Sequence, residues 1–275
     1  MTDQHTSQQD TPLAIRVSNL LTYYDGRVIL NNVSLEVKQG EIMVIMGGSG
    51  SGKSTLLRYM LGLEKPDAGH IELLGKDITR MNDNQLHHMM KNIGVSFQGG
   101  ALFGSMTVAE NIQLPLKEHT KLDQKTMQIM SQMKLEVVNL AGFENLMPSQ
   151  LSGGMVKRAA LARAIVLDPR LLFFDEPSAG LDPVVSAELD DLILRLRDAM
   201  NMTIVVVTHE LESAFKIADR ITILDKGEIL ICGTVDEVRN SDNQRIYNLL
   251  NRKPHTDAVN GDEYLQRLTG ENIEY

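Results

Sequence analysis

The chain lacks several features that would point to particular classes of protein. Cys232 is the only cysteine among 275 residues, so no disulfide can form within the chain, which suits a reducing compartment. Lys and Arg number 27 against 36 Asp and Glu, giving a formal net charge of −9. No basic cluster offers a face for nucleic-acid phosphates, so we expect no nucleic-acid partner.

Long apolar runs are also missing. The longest, such as 203–208, have the length of a strand, whereas a membrane-spanning helix needs roughly 18–20 apolar residues. Residues 1–11 are polar, with neither the basic start nor the apolar centre of a secretory signal, and we predict a disordered tail. Any work at a membrane therefore requires a partner chain.

What the chain does hold is the composition of a globular protein, with 43% hydrophobic and 23% charged residues. Short Val- and Ile-rich runs alternate with helical stretches, which predicts an α/β fold with a largely parallel sheet. The predicted strands are 14–20, 42–46, 93–97, 171–175, 203–208, 220–224 and 228–232. The predicted helices are 52–61, 152–167, 183–200 and 210–217.

Between residues 98 and 150 the strand pattern stops and helical periodicity replaces it. This predicts a helical subdomain inserted into the α/β core, called the helical insert below (about 98–151). Met127, Met130, Met133 and Val137 fall on one stripe, which we interpret as the core-facing side of a helix rather than a ligand-binding stripe.

The strongest motif is the run Gly47-Gly48-Ser49-Gly50-Ser51-Gly52-Lys53-Ser54, followed by Thr55, called the phosphate loop below. It follows the predicted strand 42–46 and fits G-x-x-x-x-G-K-[ST] at every fixed position. Small residues let backbone N–H groups approach a phosphate chain, Lys53 adds a positive charge, and Ser54 offers a hydroxyl to Mg²⁺. The sequence therefore predicts binding of a nucleoside triphosphate.

A second motif is the apolar strand 171–175 ending in the carboxylates Asp175 and Glu176. Successive strand side chains point to opposite faces, so these two acids can take different tasks. We expect Asp175 to hold Mg²⁺ and Glu176 to polarise the attacking water. By itself the pair could equally be helix caps or solvated loop residues, and the phosphate loop upstream favours the catalytic interpretation.

The third motif, Leu151-Ser152-Gly153-Gly154-Met155, is called the signature loop below. It places a Ser N-cap and two glycines before a long helix, whose N-terminus forms a second anion site. Here the chain resembles the ABC transporter ATPase family over residues 14–240. The resemblance implies a P-loop NTPase core, an antiparallel N-terminal β part, hydrolysis of Mg²⁺·ATP, and a homodimer in which Ser152, Gly153 and Gly154 of one subunit cover the ATP of the other.

The resemblance also assigns roles to single residues. Tyr24 matches the aromatic residue that stacks on adenine, with Tyr23 as its rival. Gln98 matches the glutamine that contacts Mg²⁺ and the lytic water, and Asp182 the loop that communicates across the dimer. His209 matches the histidine that senses the γ-phosphate; the alternative is an ordinary surface residue at a strand end.

Met155 stands where the family usually has glutamine. Met155 followed by Lys157-Arg158 is typical of a narrower group, the phospholipid-transporting ABC ATPases that work with MCE proteins. That resemblance implies transport between the inner and outer membranes, a permease, an MCE-domain protein, a small accessory subunit, and a place on the cytoplasmic side of the bacterial inner membrane. The alternative is the ATPase of another importer, for example one for polar amino acids. A switch GTPase is disfavoured because no Asn-Lys-x-Asp guanine reader is present.

We expect the ATPase domain to cover residues 12–240 and to be followed by an extension, 241–275. The extension carries Tyr247, Leu250, Tyr264 and Leu268, for which two hypotheses remain: docking on a neighbouring subunit, or a frayed helix and loose tail.

Overall fold

The computed structural model describes residues 11–253, in which strands and helices alternate along the chain. The strands are β1 Leu13–Tyr24, β2 Arg27–Lys38, β3 Ile42–Met46, β4 Ala68–Leu73, β5 Lys76–Asp77, β6 Ile93–Ser96, β7 Leu171–Asp175, β8 Thr203–Val207, β9 Arg220–Asp225 and β10 Glu228–Gly233. The helices are α1 Lys53–Met60, α2 Asp83–Met90, α3 Val108–His119, α4 Gln124–Val137, α5 Gly153–Ala164, α6 Pro183–Met200, α7 Leu211–Ile217, α8 Val235–Arg239 and α9 Gln244–Leu250.

The larger sheet has six strands in the order β10-β9-β3-β8-β7-β6, and every pairing except β10 with β9 is parallel. All residues of β3 and β8 are buried. Side chains of β3 alternate between two cores, with Val44 in one and Ile45 in the other. The predicted α/β fold with a largely parallel sheet is confirmed, and the carboxyl ends of β3, β6, β7 and β8 meet at one edge, called the catalytic edge below.

The smaller sheet is antiparallel, in the order β2-β1-β4-β5, and confirms the antiparallel N-terminal part. Its strand β2 was missed by the sequence analysis because Asn31 and Asn32 interrupt the apolar pattern. Asn32 adopts φ 52°, a left-handed conformation that asparagine tolerates better than most residues. Its partner β1 carries irregular register beside this point, so the alternation of buried residues is broken.

Helices α3 and α4 occupy the helical insert and pack on the same core as α5 and one face of the large sheet. The predicted stripe on α4 is wrong in part. Met127 is buried, but Met133 and Val137 are 57% and 42% exposed. The buried row is Met127, Ser131 and Leu135, and it contains a serine because the Gln113 side chain of α3 donates a hydrogen bond to the Ser131 hydroxyl at 3.1 Å.

Side-chain caps fix where the insert's helices begin. Thr107 and Glu110 form a capping box at the start of α3, and the Asp123 carboxylate accepts the Thr126 N–H at the start of α4. Among residues 11–253, no helix is both long and apolar enough to cross a membrane.

Candidate active site

The phosphate loop joins the end of β3 to α1 and leaves no room for side chains at two glycines. A Cβ added to Gly47 would lie 2.1 Å from the backbone oxygen of Leu224. Gly52 has φ 105° and caps α1 without a side-chain hydrogen bond, and its Cβ would lie 2.7 Å from Leu30 Cδ2. No acidic residue lies in the first turn of α1, so its free N–H groups and positive dipole end remain available to an anion.

Lys53 is held over the phosphate loop by the loop's own backbone. Its Nζ donates to the carbonyl oxygens of Gly47 at 2.8 Å and Gly48 at 2.9 Å. Burial lowers the pKa of Lys53, while the carboxylates of Glu176 and Asp175 act in the opposite direction. Lys53 thus faces the carboxylates at the end of β7, and its ammonium lies where a bound phosphate chain would need charge.

Asp175 ends β7, in register with Val207 of β8. Burial raises the pKa of the Asp175 carboxyl, and Glu176 acts in the same direction, whereas the Lys157 and Lys53 ammonium groups lower it. The carboxylates of Asp175 and Glu176 and the ammonium groups of Lys53 and Lys157 therefore lie close enough to influence one another at the catalytic edge.

Glu176 has a strained backbone and a firmly held side chain. Its φ of 49° is rare for a residue other than glycine and costs on the order of 1–3 kcal/mol, which the surrounding structure must offset. Its N–H donates to Val207 O at 2.8 Å. Its carboxylate accepts the Thr208 hydroxyl at 3.1 Å, and Oε1 lies 2.8 Å from His209 Nδ1. The structure thus brings Glu176 and His209 into direct contact.

The signature loop lies in a different cleft from the phosphate loop. Ser152 caps α5 by accepting the Met155 N–H at 3.3 Å. Asp182 caps α6 through the N–H groups of Val184 and Val185, both at 3.0 Å. Together with Gly153 and Gly154, these residues line a cleft of about 910 Å³ that does not include the phosphate loop. Two helix N-termini, of α5 and α6, therefore open into this cleft.

The remaining predicted residues lie at exposed positions. Gln98 follows β6 and is exposed, as is Ser54 in the first turn of α1. Tyr24 ends β1 with 57% of its surface exposed, and Tyr23 is 47% exposed, so burial does not separate the two candidates for the adenine contact. Both rings are free to meet a flat ligand.

The donors proposed for Mg²⁺ have suitable chemistry. Ser54, Gln98 and Asp175 offer a hydroxyl, an amide oxygen and a carboxylate, the hard oxygen ligands that Mg²⁺ prefers. Asp175 shares the catalytic edge with Lys53, which it influences electrostatically. The residues present therefore fit the ion.

The sequence analysis missed three polar contacts. Thr208 is fully buried and holds the Glu176 carboxylate. Lys157 of α5 donates to the backbone oxygens of Gln98 and Glu176. Arg163 donates to those of Gly100 at 2.8 Å and Ala101 at 2.7 Å. For Lys157 and Arg163, the available signal was the presence of three cations in a helix that is otherwise rich in Ala and largely buried.

Helix α9 lies beside the catalytic edge. Gly47 and His209 share a cleft of about 570 Å³ with Asn248, Leu249 and Lys253. Leu250 packs against this chain's own core, and Tyr247 is exposed, while Tyr264 and Leu268 lie outside the described residues.

Comparison with known proteins identifies the family. The model of the ABC transporter family matches residues 30–179, which include the phosphate loop, the signature loop and the acidic pair. This chain belongs to the ABC transporter ATP-binding family. It is an ATPase, as the phosphate loop and the carboxylates of the catalytic edge lead one to expect.

Three relatives show how far the resemblance extends. The intermembrane phospholipid transport system ATP-binding protein MlaF of Haemophilus influenzae is 43% identical over 86% of this chain and 89% of its own length. MlaF of Escherichia coli K12 is 42% identical over 85% of this chain and 89% of its own length. The probable ribonucleotide transport ATP-binding protein mkl of Mycobacterium tuberculosis is 38% identical, over 87% of this chain and 67% of its own.

Solved structures agree with the fold. The dimeric ATP-binding cassette MJ0796, in a post-hydrolysis state with ADP and phosphate, superposes with a TM-score of 0.75 at 31% identity, covering 80% of this chain and 98% of that one. The cassette cbiO1 of Clostridium perfringens superposes with a TM-score of 0.78 at 25% identity, covering 93% of this chain and 99% of that one. Both support the assignment of this chain as an ABC ATPase.

Proposed function

We propose that this chain is the ATPase subunit of a transporter that moves phospholipid between the inner and outer bacterial membranes. The observation that carries the proposal is the 43% identity, over 86% of the chain, to a protein named for intermembrane phospholipid transport. The relative named for ribonucleotide transport is 38% identical, and the chain covers only 67% of it. An importer of other cargo, such as polar amino acids, is the second candidate, because it would use the same catalytic residues.

The catalytic unit is a homodimer. Within one chain, the phosphate loop and the signature loop line separate clefts, and each presents the N-terminus of a helix to an anion. In a dimer, ATP is held by residues 47–55 of one subunit and capped by Ser152, Gly153 and Gly154 of the other. Its phosphates then meet both helix N-termini. The dimer of cassette MJ0796 supports this arrangement. Asp182, in the same cleft as the signature loop, then lies at the subunit interface.

Glu176 orients and polarises the attacking water. Its carboxylate is fixed by Thr208 and by the His209 ring, so little reorientation is required when water arrives. Lys53 donates to the phosphate chain, and His209 and Gln98 hold the γ-phosphate and the water. Tyr24 stacks on adenine. When bound by Ser54, Gln98 and Asp175, Mg²⁺ supplies positive charge that offsets the negative charge of the phosphates.

ATP binding shifts the equilibrium between the open and the closed dimer toward the closed dimer. To move an equilibrium from 1:99 to 99:1, a ligand must bind the favoured state about 10⁴-fold more tightly. A composite site that exists only in the closed dimer supplies such a difference, and hydrolysis removes it. Opening and closing of the dimer move the membrane subunits bound to it, and these subunits transport the lipid.

Partner subunits dock on the helical insert. Ile129, Met133 and Val137 recur every four residues of α4, so they share one face, and all three are at least 42% exposed. An exposed apolar row of this kind is typical of an interaction surface. The partners we propose are a permease, an MCE-domain protein and a small accessory subunit, which hold the ATPase at the cytoplasmic side of the inner membrane. We also propose a domain spanning 12–240 and a docking extension, 241–275.

The first test is hydrolysis by Glu176→Gln. We expect kcat to fall by about 10²–10⁴-fold, because the amide cannot polarise the water, while the affinity for ATP stays unchanged. The matched control is Glu212→Gln, an exposed carboxyl in the first turn of α7, which should hydrolyse ATP like the parent. Parental activity in Glu176→Gln would contradict the role given to this residue.

The second test identifies the cargo. Tagged Glu176→Gln, which should hold the closed state with ATP, is recovered from native membranes in mild detergent, and bound proteins and lipids are identified by mass spectrometry. Recovery of a permease with an MCE-domain protein and phospholipid supports the proposal. Recovery of a different permease without phospholipid overturns the lipid assignment and leaves the ATPase mechanism in place.

A further inference from the structure

Lys157 is a buried cation near the N-terminal end of α5. It lies in the second turn of α5, and only 8% of its surface is exposed. Taking an ammonium group out of water carries a desolvation penalty, which its contacts must offset. Such a position needs strong compensating contacts, and a residue that violates local rules in this way is often functional.

The compensating contacts join two strand ends of the catalytic edge. Lys157 Nζ donates to the backbone oxygen of Gln98, which follows β6, and to that of Glu176 at 3.1 Å, which follows β7. These residues are 59 and 19 positions away in the chain, and β6 and β7 are neighbours in the sheet. One ammonium group therefore ties α5, the helix that begins at the signature loop, to both residues.

Glu176 depends on such support because its backbone is strained. Its φ of 49° lies in the left-handed region, which non-glycine residues leave unless the surroundings hold them there. The Val207 oxygen binds its N–H at 2.8 Å, and Lys157 binds its carbonyl oxygen. The Glu176 backbone is thus held at both its N–H and its carbonyl oxygen, and the position of its carboxylate follows from that backbone.

We propose that Lys157 is a positioning residue for hydrolysis: it holds the backbones of Gln98 and Glu176 in register with the signature helix α5. When the signature loop moves with α5, the Lys157 side chain therefore shifts the backbone of Glu176, whose carboxylate polarises the water. The inference rests on the proposed role of Glu176. A misplacement of a catalytic group by about 1 Å can cost about 10²-fold in rate, so loss of this contact is measurable.

Arg163 provides a matched control. It lies on the same helix, is half-buried, and donates to the backbone oxygens of Gly100 and Ala101 in the loop that follows Gln98. It makes no hydrogen bond to Glu176 among the described contacts. Its removal should loosen the same loop without moving the carboxylate.

The experiment is a double-mutant cycle on the full chain, with kcat, affinity for ATP and melting temperature measured for each variant. Lys157→Met removes the shared donor of the Gln98 and Glu176 carbonyl oxygens and should lower kcat by about 10- to 100-fold, with ATP affinity within about twofold of the parent. Lys157→Gln keeps a neutral donor of shorter reach and should lose about 3- to 10-fold. In a Glu176→Gln background, both changes should cause a clearly smaller loss, due to the contact with Gln98 alone, whereas Arg163→Met should cause the same loss in both backgrounds.

Three results would overturn the inference. These are parental kcat in folded Lys157→Met, an equal loss in both Glu176 backgrounds, or a loss confined to ATP affinity. If Lys157→Met does not fold, Lys157→Gln carries the same cycle. Parental hydrolysis by Glu176→Gln alone would instead refute the proposed function of the site, and so the two failures are distinguishable.

Discussion

The catalytic edge and the helical insert differ in how tightly their side chains are packed. At the edge, β3 and β8 are buried on both faces, Thr208 and His209 hold the Glu176 carboxylate, and Gly47 has no space for a methyl group. In the insert, α4 buries one row and exposes another that is also apolar, with Met133 57% exposed. The difference indicates that the edge is built for fixed geometry, whereas the insert keeps an apolar face available for partners.

The largest effect should come from Gly47→Ala. The new Cβ would meet the Leu224 backbone oxygen at 2.1 Å, and a backbone atom cannot move aside as a side chain can. We expect a loss of more than about 3 kcal/mol of unfolding free energy and loss of ATP binding, measured by urea denaturation and nucleotide titration. Gly48→Ala, which meets nothing within 4 Å, should stay within about 0.5 kcal/mol. Equal destabilisation by the two changes would show that the close approach of Gly47 to the Leu224 backbone does not restrict this position.

A second comparison separates the two rows of α4. Leu135→Ala empties a fully buried site and should cost about 3 kcal/mol of unfolding free energy. Met133→Ala, on the exposed row, should cost less than about 0.5 kcal/mol, and it should weaken recovery of a partner subunit. The reverse order of stabilities would restore the methionine stripe as the core-facing side.

The smallest effect concerns the polar residue in the buried row. Ser131→Ala removes the acceptor of the Gln113 amide, which is itself buried, so we expect a loss of about 1–2 kcal/mol in urea denaturation. Replacing both partners, as in Ser131→Ala with Gln113→Met, should recover part of that loss, because no buried amide is left unpaired. If the double variant is less stable than the single one, the hydrogen bond does not explain the burial of Ser131.

The edge was predictable because each of three residues proposed for catalysis lies within two positions of the end of a strand. Gln98, Glu176 and His209 come after β6, β7 and β8, and parallel strands bring their carboxyl ends to one side. The bounds of β3, β7 and α6 agree with prediction to the residue, since each is a continuous apolar or strongly periodic run with clear ends. Strand β2 and helix α2 were missed, because their patterns are interrupted or weak.

The insert was harder to predict. Helical periodicity was sufficient to expect helices, and α3 and α4 are present. It was insufficient to choose between two apolar rows, because the choice depends on Gln113, a residue of another helix that pairs with Ser131. A hydrogen bond made across helices leaves no trace in hydrophobic spacing.

The sequence by itself determined the chemistry of this protein: the phosphate loop, the acidic pair and the signature loop are contiguous motifs whose function depends on residue type and local backbone. Only the tertiary structure decided that Glu176 and His209 touch, that Ser131 is buried, and that Lys157 joins α5 to two strand ends. These facts depend on contacts between residues far apart in the chain. Their free energies arise from packing and desolvation in the folded state, which local pattern does not record.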